Sequence, residues 1–279
     1  MAVLSIAEAA PRLQTAYKEG RLIPFLGAGF SFPLELPSWW QLVGWMSTKV
    51  GFEQDLFAIH GRPEQLAEYF DLAEPNNLKS LIYEMTLRFD SAEAEGKRKV
   101  SSTHQALARL DWHTIYTTNY DSHIEGALKD AGKEAVALAS FEDFQRSRPP
   151  EACEVIKFHG TLMQPETIVL TESSYFQRMA LEAPPDQRLR ADLLSHGFLF
   201  IGYGFNDFNI RYIWYRMHQI RMRNQTRARA PSQGRRCFFA TSEVGAIAPD
   251  ILAQWNIDVI QLDPGHTSAS VAELLQCIG

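Results

Sequence analysis

Two side chains in the sequence have the chemistry to act on a hydroxyl group or on water. His159 changes its charge near neutral pH, so it suits a general base or a partner for a ribose hydroxyl. Asn119 offers one hydrogen-bond acceptor and two donors, enough to orient a water molecule or a hydroxyl. Each lies in a short segment of small or polar residues, TTNYD at 117–121 and KFHG at 157–160. Both are therefore candidate catalytic residues.

A glycine-rich segment, Gly27-Ala28-Gly29, could bring free main-chain N–H groups close to a diphosphate. It directly follows a predicted strand, and a helix start nearby would favour negative charge. The usual dinucleotide fingerprint would place a third glycine or an alanine at position 32, which is Phe32 here. The pattern therefore differs from that of an ordinary dehydrogenase, and a tight turn without a ligand explains the same residues.

Simpler structural roles also account for the polar residues at these positions. His159 would then be a structural histidine, hydrogen-bonded at the end of a strand, and Asp121 would cap the helix that follows it. Asn206 and Asp207 would form the N-cap of a helix from Phe208. The residues alone leave both interpretations open.

Short apolar runs alternate with helix-like stretches, which predicts a parallel sheet covered by helices on both faces. The runs predicted as strands are 21–26, 114–118, 154–158, 198–203, 237–241 and 258–262. Four of them lead into glycine or short polar residues, at 27–31, 117–121, 157–160 and 202–207. Because ligands bind outside the carboxyl ends of the strands in open α/β sheets, these four ends predict one shared crevice.

Helices are predicted where apolar residues recur three and four positions apart. The predicted helices are 6–20, 38–50, 63–73, 76–89, 101–110, 122–131, 208–222, 247–255 and 268–278. The block from 38 to 110 is therefore mostly helical. Loops are predicted at 140–152 and 224–235, which contain proline and other turn-forming residues.

The composition is that of a soluble globular protein, with 46% apolar and 22% charged residues among 279. A net charge of −6 disfavours a protein that coats nucleic acid over its whole surface. Seven arginines between 216 and 236 make a local basic segment that could meet phosphates or an acidic partner. A solvated helix end and loop explain the same arginines, so direct binding of nucleic acid is not expected.

The cysteines and the N-terminus indicate the compartment. Cys153, Cys237 and Cys277 are too far apart to be paired zinc or redox ligands, so neither a metal site nor a disulfide framework is expected. The N-terminus lacks the unbroken apolar stretch of a signal peptide, and no run reaches the ~18 apolar residues of a membrane span. We expect a cytoplasmic protein in a reducing environment, without membrane contact.

Taken in order, the segments FLGAGFS, TTNYD, KFHG and FIGYGFNDFNI resemble the sirtuin-like superfamily. The resemblance is closer to its bacterial antiphage-defence branch than to the protein deacylases, and it extends from about residue 21 to 262. It implies an α/β fold with a Rossmann-like parallel sheet flanked by helices. It also implies a single domain over 1–279, in which 38–110 is a helical insertion that forms a small second subdomain.

The resemblance makes NAD+ the expected ligand, with no metal. Asn119 would position the nicotinamide ribose and a water molecule, and His159 would be the catalytic residue. The residues implied to hold the diphosphate or line the site are Gly27, Ala28, Gly29, Ser31, Asp121, Gly202, Tyr203, Gly204, Asn206 and Asp207.

The cysteine count separates two branches of this superfamily. Deacylating sirtuins carry a zinc module of four cysteines in two close pairs, which three scattered cysteines cannot form. The resemblance therefore implies hydrolysis of NAD+ itself to nicotinamide and ADP-ribose. The alternatives are a sirtuin-type deacylase or ADP-ribosyl transferase, and a non-catalytic sensor or scaffold that binds NAD+ or ADP-ribose.

An NAD+ hydrolase would be toxic to its own cell, so the resemblance also implies control by other molecules. Members of the defence branch are effectors of abortive infection, gated by oligomerisation or by a partner chain. The expected partners are further copies of this chain, a hexameric DNA-translocating ATPase or a short Argonaute. The arginine-rich segment 216–236 is one possible contact.

Overall fold

The computed structural model describes residues 3–59, 61–180, 182–205, 208–225 and 237–279. Seven strands form one sheet: β1 (Leu22–Leu26), β2 (Thr114–Thr117), β3 (Ala135–Leu138), β4 (Cys153–Lys157), β5 (Gly197–Ile201), β6 (Cys237–Thr241) and β7 (Ile257–Gln261). Their order across the sheet is β3-β4-β2-β1-β5-β6-β7, and every neighbouring pair is parallel. The predicted α/β fold with a parallel sheet is confirmed.

Helices surround this sheet and fill the connections between its strands. The first seven are α1 (Ile6–Lys18), α2 (Trp39–Lys49), α3 (Gln54–Ile59), α4 (Pro63–Ala73), α5 (Asn77–Phe89), α6 (Ala92–Val100) and α7 (Ser102–Arg109). The others are α8 (His123–Asp130), α9 (Phe141–Gln145), α10 (Glu172–Met179), α11 (Pro184–Asp192), α12 (Phe208–Gln225), α13 (Ala248–Gln254) and α14 (Thr267–Gln276). Two short 3₁₀ helices span Ala28–Leu34 and Pro165–Thr167.

The path of the chain through the sheet predicts a crevice beside β1. From β1 the chain builds β2, β3 and β4 on one side, and then crosses to β5 on the other side. Adjacent helices on the two sides of such a reversal diverge, which leaves a cleft at the carboxyl ends of the strands. In register, Leu26 of β1 lies between Thr117 of β2 and Ile201 of β5.

Apolar side chains cover both faces of the sheet, which explains why its central strands are continuous apolar runs. All five residues of β1, β5 and β6 are buried. One apolar cluster packs α1, α7 and α14 on one face, and a second packs α11 and α12 on the other. Within the described ranges, no helix combines the length and apolar character needed to cross a bilayer.

A third apolar cluster lies in the predicted helical segment 38–110 and touches the main body. It joins residues of α2, α4 and α5, such as Phe70 and Met85, to Tyr120, Leu162 and Leu170. Helix α7 differs from the rest of the segment, because its buried residues belong to the first cluster, against the sheet.

Several elements differ from the sequence prediction. Strand β3 and helices α3, α6, α9, α10 and α11 were not predicted, and α9 occupies part of the predicted loop 140–152. Helix α12 continues to Gln225, into the predicted loop 224–235. The rest of that loop lies outside the described residues, as do Asn206 and Asp207.

Candidate functional site

The loops after β1 and β5 are hydrogen-bonded to each other at the centre of the sheet. The N–H of Gly27 donates to the carbonyl of Ile201 over 2.8 Å, and the N–H of Gly29 donates to the carbonyl of Gly202 over 2.9 Å. A Cβ atom on Gly27 would lie 2.6 Å from the Gly202 carbonyl oxygen, closer than real contacts allow. Close packing of the two loops therefore requires glycine at these positions.

This pairing changes the interpretation of the glycine-rich segment. The N–H groups expected to be free for a diphosphate are partly used inside the protein, because those of Gly27 and Gly29 donate to the β5 loop. The N–H of Phe30 donates to the Gly27 carbonyl over 2.9 Å. The segment continues as the 3₁₀ helix Ala28–Leu34, and Ala28 at its start is exposed.

Tyr203 ties three strand ends together from a buried position. Its hydroxyl donates to the carbonyl of Leu26 over 2.9 Å and lies 3.0 Å from the hydroxyl of Thr118. Its ring packs against Phe25, with ring centroids 6.1 Å apart. These contacts fix the relative positions of the loops that follow β1, β2 and β5.

Ser31 and Asn119 meet in this crevice, as the sequence predicts for residues at neighbouring strand ends. The Asn119 amide nitrogen donates to the Ser31 hydroxyl over 3.1 Å, and both side chains are buried. The main-chain N–H of Asn119 donates to the hydroxyl of Thr117 over 3.0 Å. Ser31 of the 3₁₀ helix therefore holds the side chain of Asn119, and Thr117 of β2 holds its main chain.

His159 lies at the next strand end, in the position that matches Asn119. Thr117 and Lys157 are paired in the sheet, and the N–H of Phe158 donates to the Thr117 carbonyl over 2.7 Å. Asn119 and His159 therefore each stand two residues beyond a paired position. The sheet brings the two candidate catalytic residues to adjacent strand ends.

The His159 imidazole is buried against aromatic rings. Tyr175 of α10 meets it edge to face, with ring centroids 5.3 Å apart, and Phe158 lies on another side. Burial, with a smaller contribution from the charge of Arg178, lowers the pKa of His159 to about 3. Its ring makes no hydrogen bond to any residue that the structure describes. A neutral imidazole can accept a hydrogen bond from a hydroxyl or water, which is the chemistry that the sequence predicts for His159.

Asp121 has the local role that a capping residue would have. Its carboxylate accepts the N–H of His123, the first residue of α8, over 3.0 Å, and the side chain is buried. Its carbonyl accepts a short hydrogen bond from the ammonium of Lys157. Lys157 is itself fully buried and lies 3.3 Å from the carboxylate of Glu125. These bonds fix the turn that carries Asn119.

The remaining predicted residues differ in how tightly they are packed, and two of them lie outside the described ranges. Gly202 has a φ of +82° and packs against Phe30. Gly204 is exposed, and a Cβ atom added to it would have no other atom within 4 Å. Asn206 and Asp207 are not among the described residues. In the described part of the chain, no group of three or more histidine, cysteine or acidic residues could hold a metal ion.

Sequence reasoning missed the contribution of α10, which places Tyr175 and Arg178 beside the His159 segment. A signal for this helix was present in its N-cap, because Thr171 accepts the N–H of Ser174 over 3.3 Å. The helix has no fully buried residue and hence no apolar stripe to reveal it.

Comparison with known proteins identifies relatives of this chain. The model of the SIR2-like domain family matches residues 113–260, more than half of the chain, including Asn119 and His159. A relative from Bacillus cereus named NAD(+) hydrolase ThsA is 32% identical over 209 residues, covering 73% of this chain and 41% of the relative. Its namesake from Acinetobacter baumannii is 30% identical over 206 residues, covering 72% and 40%.

A more distant relative is defense-associated sirtuin 2 from Bacillus subtilis, which is 23% identical over 77% of this chain and 21% of its own length. The chain spans about two fifths of the length of the ThsA relatives. The match to the family model, together with the parallel sheet and the arrangement of its strand ends, leads to one conclusion: this chain belongs to the SIR2-like family.

Proposed function

We propose that this chain is an NAD+ glycohydrolase, which converts NAD+ and water to nicotinamide, ADP-ribose and a proton. One observation carries the proposal: Asn119 and His159 lie at adjacent strand ends beside the β1–β5 crevice, and Asn119 is bonded to Ser31 there. The proposal is further supported by relatives named NAD(+) hydrolase that are 28% to 32% identical to this chain.

The proposed reaction breaks the bond between the ribose anomeric carbon and the nicotinamide nitrogen. Positive charge develops on the ribose as nicotinamide leaves, and water attacks the same carbon. The Asn119 amide, held by Ser31, orients this water and the ribose. The two negative charges of a bound diphosphate would raise the proton affinity of His159, whose pKa is low in the free protein. His159 can then accept a hydroxyl or water proton and release it to solvent.

The diphosphate and the adenosine side of NAD+ are assigned to the surface above the first and fifth strand ends. We place them over Gly27, Ala28 and Gly29 and over the segment from Gly202 to Gly204 that packs against these residues. Ala28 and Gly204 are exposed, one in each of the two segments. Ser31 links this region to Asn119.

In the cell, the proposed role is that of a toxic effector in antiphage defence, and one relative is named defense-associated sirtuin 2. Its activity is held off until assembly of further copies or a partner protein, such as a hexameric ATPase or a short Argonaute, releases it. The residues form one cytoplasmic domain in which the segment 38–110 is a helical subdomain.

The test is the loss of NAD+ and the release of nicotinamide by purified protein, measured by chromatography alone, at high protein concentration and with candidate partners. His159→Ala and Asn119→Ala are each expected to lower turnover at least ~10³-fold while circular dichroism stays unchanged. His113→Ala is the matched control, because this exposed histidine lies at the opposite end of β2 from Asn119. It should retain full activity.

Three results would contradict the proposal or part of it. Wild-type turnover in a folded His159→Ala or Asn119→Ala variant would remove that residue from the mechanism. NAD+ consumption that requires an acyl-lysine peptide would indicate a deacylase, and saturable NAD+ binding without turnover under every condition would indicate a sensor or scaffold.

A further inference from the structure

Arg178 of α10 holds the backbone immediately before His159. Its guanidinium donates to the carbonyl of Phe158 over 2.7 Å and lies 4.7 Å from the centre of the Phe158 ring. The side chain is only 15% exposed, so both contacts form away from bulk water. A planar guanidinium can stack and donate at once, which a lysine ammonium cannot do in the same geometry.

Arg178 is itself fixed from α11. Its guanidinium donates to the carboxylate of Asp186 over 2.8 Å, and the same carboxylate oxygen accepts the N–H of Ala183 over 3.0 Å. The pair is joined by a single contact, because the Arg178 Nε and the other Asp186 oxygen are buried without partners among the described residues. Burial raises the pKa of Asp186 to about 6, while the positive charge of Arg178 acts in the opposite direction.

The charge of Arg178 also acts on the imidazole next to its anchor point. A cation nearby disfavours a proton on His159, and burial acts in the same direction. On its other side, the His159 ring meets the phenol ring of Tyr175 from α10. Tyr120, in the turn after β2, donates its hydroxyl to the Val169 carbonyl, and burial raises the pKa of Tyr120. On the other side of β4, the ammonium of Lys157 is paired with Glu125 of α8.

We propose that Arg178 is a positioning residue for the NAD+ cleavage described above. It fixes the loop that carries His159 through the Phe158 carbonyl, and it places a positive charge beside the residue that precedes the imidazole. This inference rests on the proposed function for its role in turnover. The coupling between Arg178 and His159, however, exists in the free protein and is measurable without substrate.

The first measurement is therefore an NMR titration of the histidine side chains in the full chain, with His159 assigned from the signal missing in His159→Ala. Arg178→Gln is expected to raise the titration midpoint of His159 measurably, because the cation is removed while the larger effect of burial remains. Arg188→Gln is the matched control, since Arg188 is a half-buried arginine of α11 paired with Asp192 and Glu154. It should leave the midpoint of His159 unchanged.

The second measurement separates charge from positioning. Arg178→Lys keeps the positive charge but loses the combined stacking and carbonyl contact, so kcat should fall about tenfold or more while the midpoint of His159 and KM stay near their original values. The kcat of Arg178→Gln should also fall. In a plot of kcat against pH, the decline on the acid side should move to higher pH for this variant. Arg188→Gln should retain the wild-type rate.

The outcomes distinguish this inference from the proposed function. An unchanged His159 midpoint in folded Arg178→Gln, or an unchanged kcat in Arg178→Lys, would overturn the positioning role. If Arg178→Gln does not fold, the kcat of Arg178→Lys still decides the question. A shifted midpoint in a protein that never cleaves NAD+ would support the coupling and contradict only the proposed activity.

Discussion

Buried histidines make the stability of this fold depend on pH, and His104 is one of them. His104 lies fully buried beneath the 3₁₀ helix, where its ring packs against Phe30 with centroids 4.9 Å apart. Its Nδ1 lies 2.9 Å from the Ser101 hydroxyl, whereas its Nε2 is buried without a partner in the described structure. Burial, assisted by the charges of His123 and Arg98, lowers the pKa of His104 to about 3.

A proton on His104 is therefore bound more readily in the unfolded chain than in the folded one. Above about pH 6.5, His104 is neutral in both states and has its full stabilising effect on the fold. As the pH falls from 6.5 toward 3, the unfolded chain takes up the proton first, so the free energy of unfolding decreases. Each such histidine contributes up to about 1.4 kcal/mol of lost stability per pH unit in this window. His159, with a similarly lowered pKa, adds to the same effect.

We predict that His104→Gln reduces this acid sensitivity. Urea unfolding at pH 7 and pH 5 should show that the difference in unfolding free energy is smaller than in the parent chain by up to about 2 kcal/mol. His266→Gln, at an exposed histidine, should leave the difference unchanged. An equal pH dependence in His104→Gln and the parent chain would contradict the assignment.

At the scale of elements, the contact between the β1 and β5 loops depends on the conformation of Gly202. A Cβ atom there would lie 2.4 Å from the main-chain nitrogen of Phe30, and the φ of +82° disfavours any other residue. Gly204, two residues on, has no positive φ, and a Cβ atom added to it would meet no other atom within 4 Å.

We predict that Gly202→Ala lowers the free energy of unfolding by about 2–4 kcal/mol, because it combines strain with a clash between loops. Gly204→Ala should change it by less than about 0.5 kcal/mol. Urea denaturation of both variants, followed by fluorescence, measures the difference. Equal stability of the two variants would show that the loops can separate at no cost.

Most of the sheet could be predicted from the sequence because its buried strands are apolar runs. Such runs are visible in the local sequence without knowledge of the neighbouring strands. Strand β6 was predicted at its observed bounds, and β1 to within one residue. Strand β3 was missed because Ala135–Leu138 is short and half-buried at the sheet edge. Helices α10 and α11 were missed because contacts such as Arg178–Asp186 stabilise them, and these form only in the folded chain.

The candidate site could be predicted only as a set of strand ends. The positions of Asn119 and His159 follow from the pattern of a strand followed by polar residues, and the sheet brings them to adjacent ends. The use of the Gly27 and Gly29 N–H groups depends on Gly202, which is remote in sequence, so no local pattern revealed it. The environment of His159 depends on α10, which the sequence pattern did not reveal.

At the scale of the whole molecule, helices α2, α4 and α5 share an apolar core that contacts residues next to the candidate site. Phe70 is fully buried in the third cluster, which also contains Tyr120, the residue next to Asn119. Phe239 is buried to the same degree in the second cluster, against the sheet. The two phenylalanines therefore report on two separate bodies of apolar packing.

We predict that Phe70→Ala loosens the helices without loosening the sheet. A truncation of this kind costs about 3–5 kcal/mol of packing, which here falls on α2, α4 and α5. Hydrogen exchange measured by mass spectrometry should accelerate over 39–89 and stay unchanged in β1, β5 and β6. Phe239→Ala should accelerate exchange in the sheet, and a uniform increase in both variants would indicate a single cooperative core.

The strand order has a consequence for folding while the chain is being synthesised on the ribosome. Strand β1 occupies the centre of the sheet, and its partner β5 follows it in the sequence only after β2, β3 and β4. Until then the Gly27 loop lacks the Gly202 loop against which it packs. Contacts between such distant segments form slowly and late. For a chain that we propose consumes NAD+, the nascent form therefore remains catalytically incomplete until the β5 segment has been synthesised.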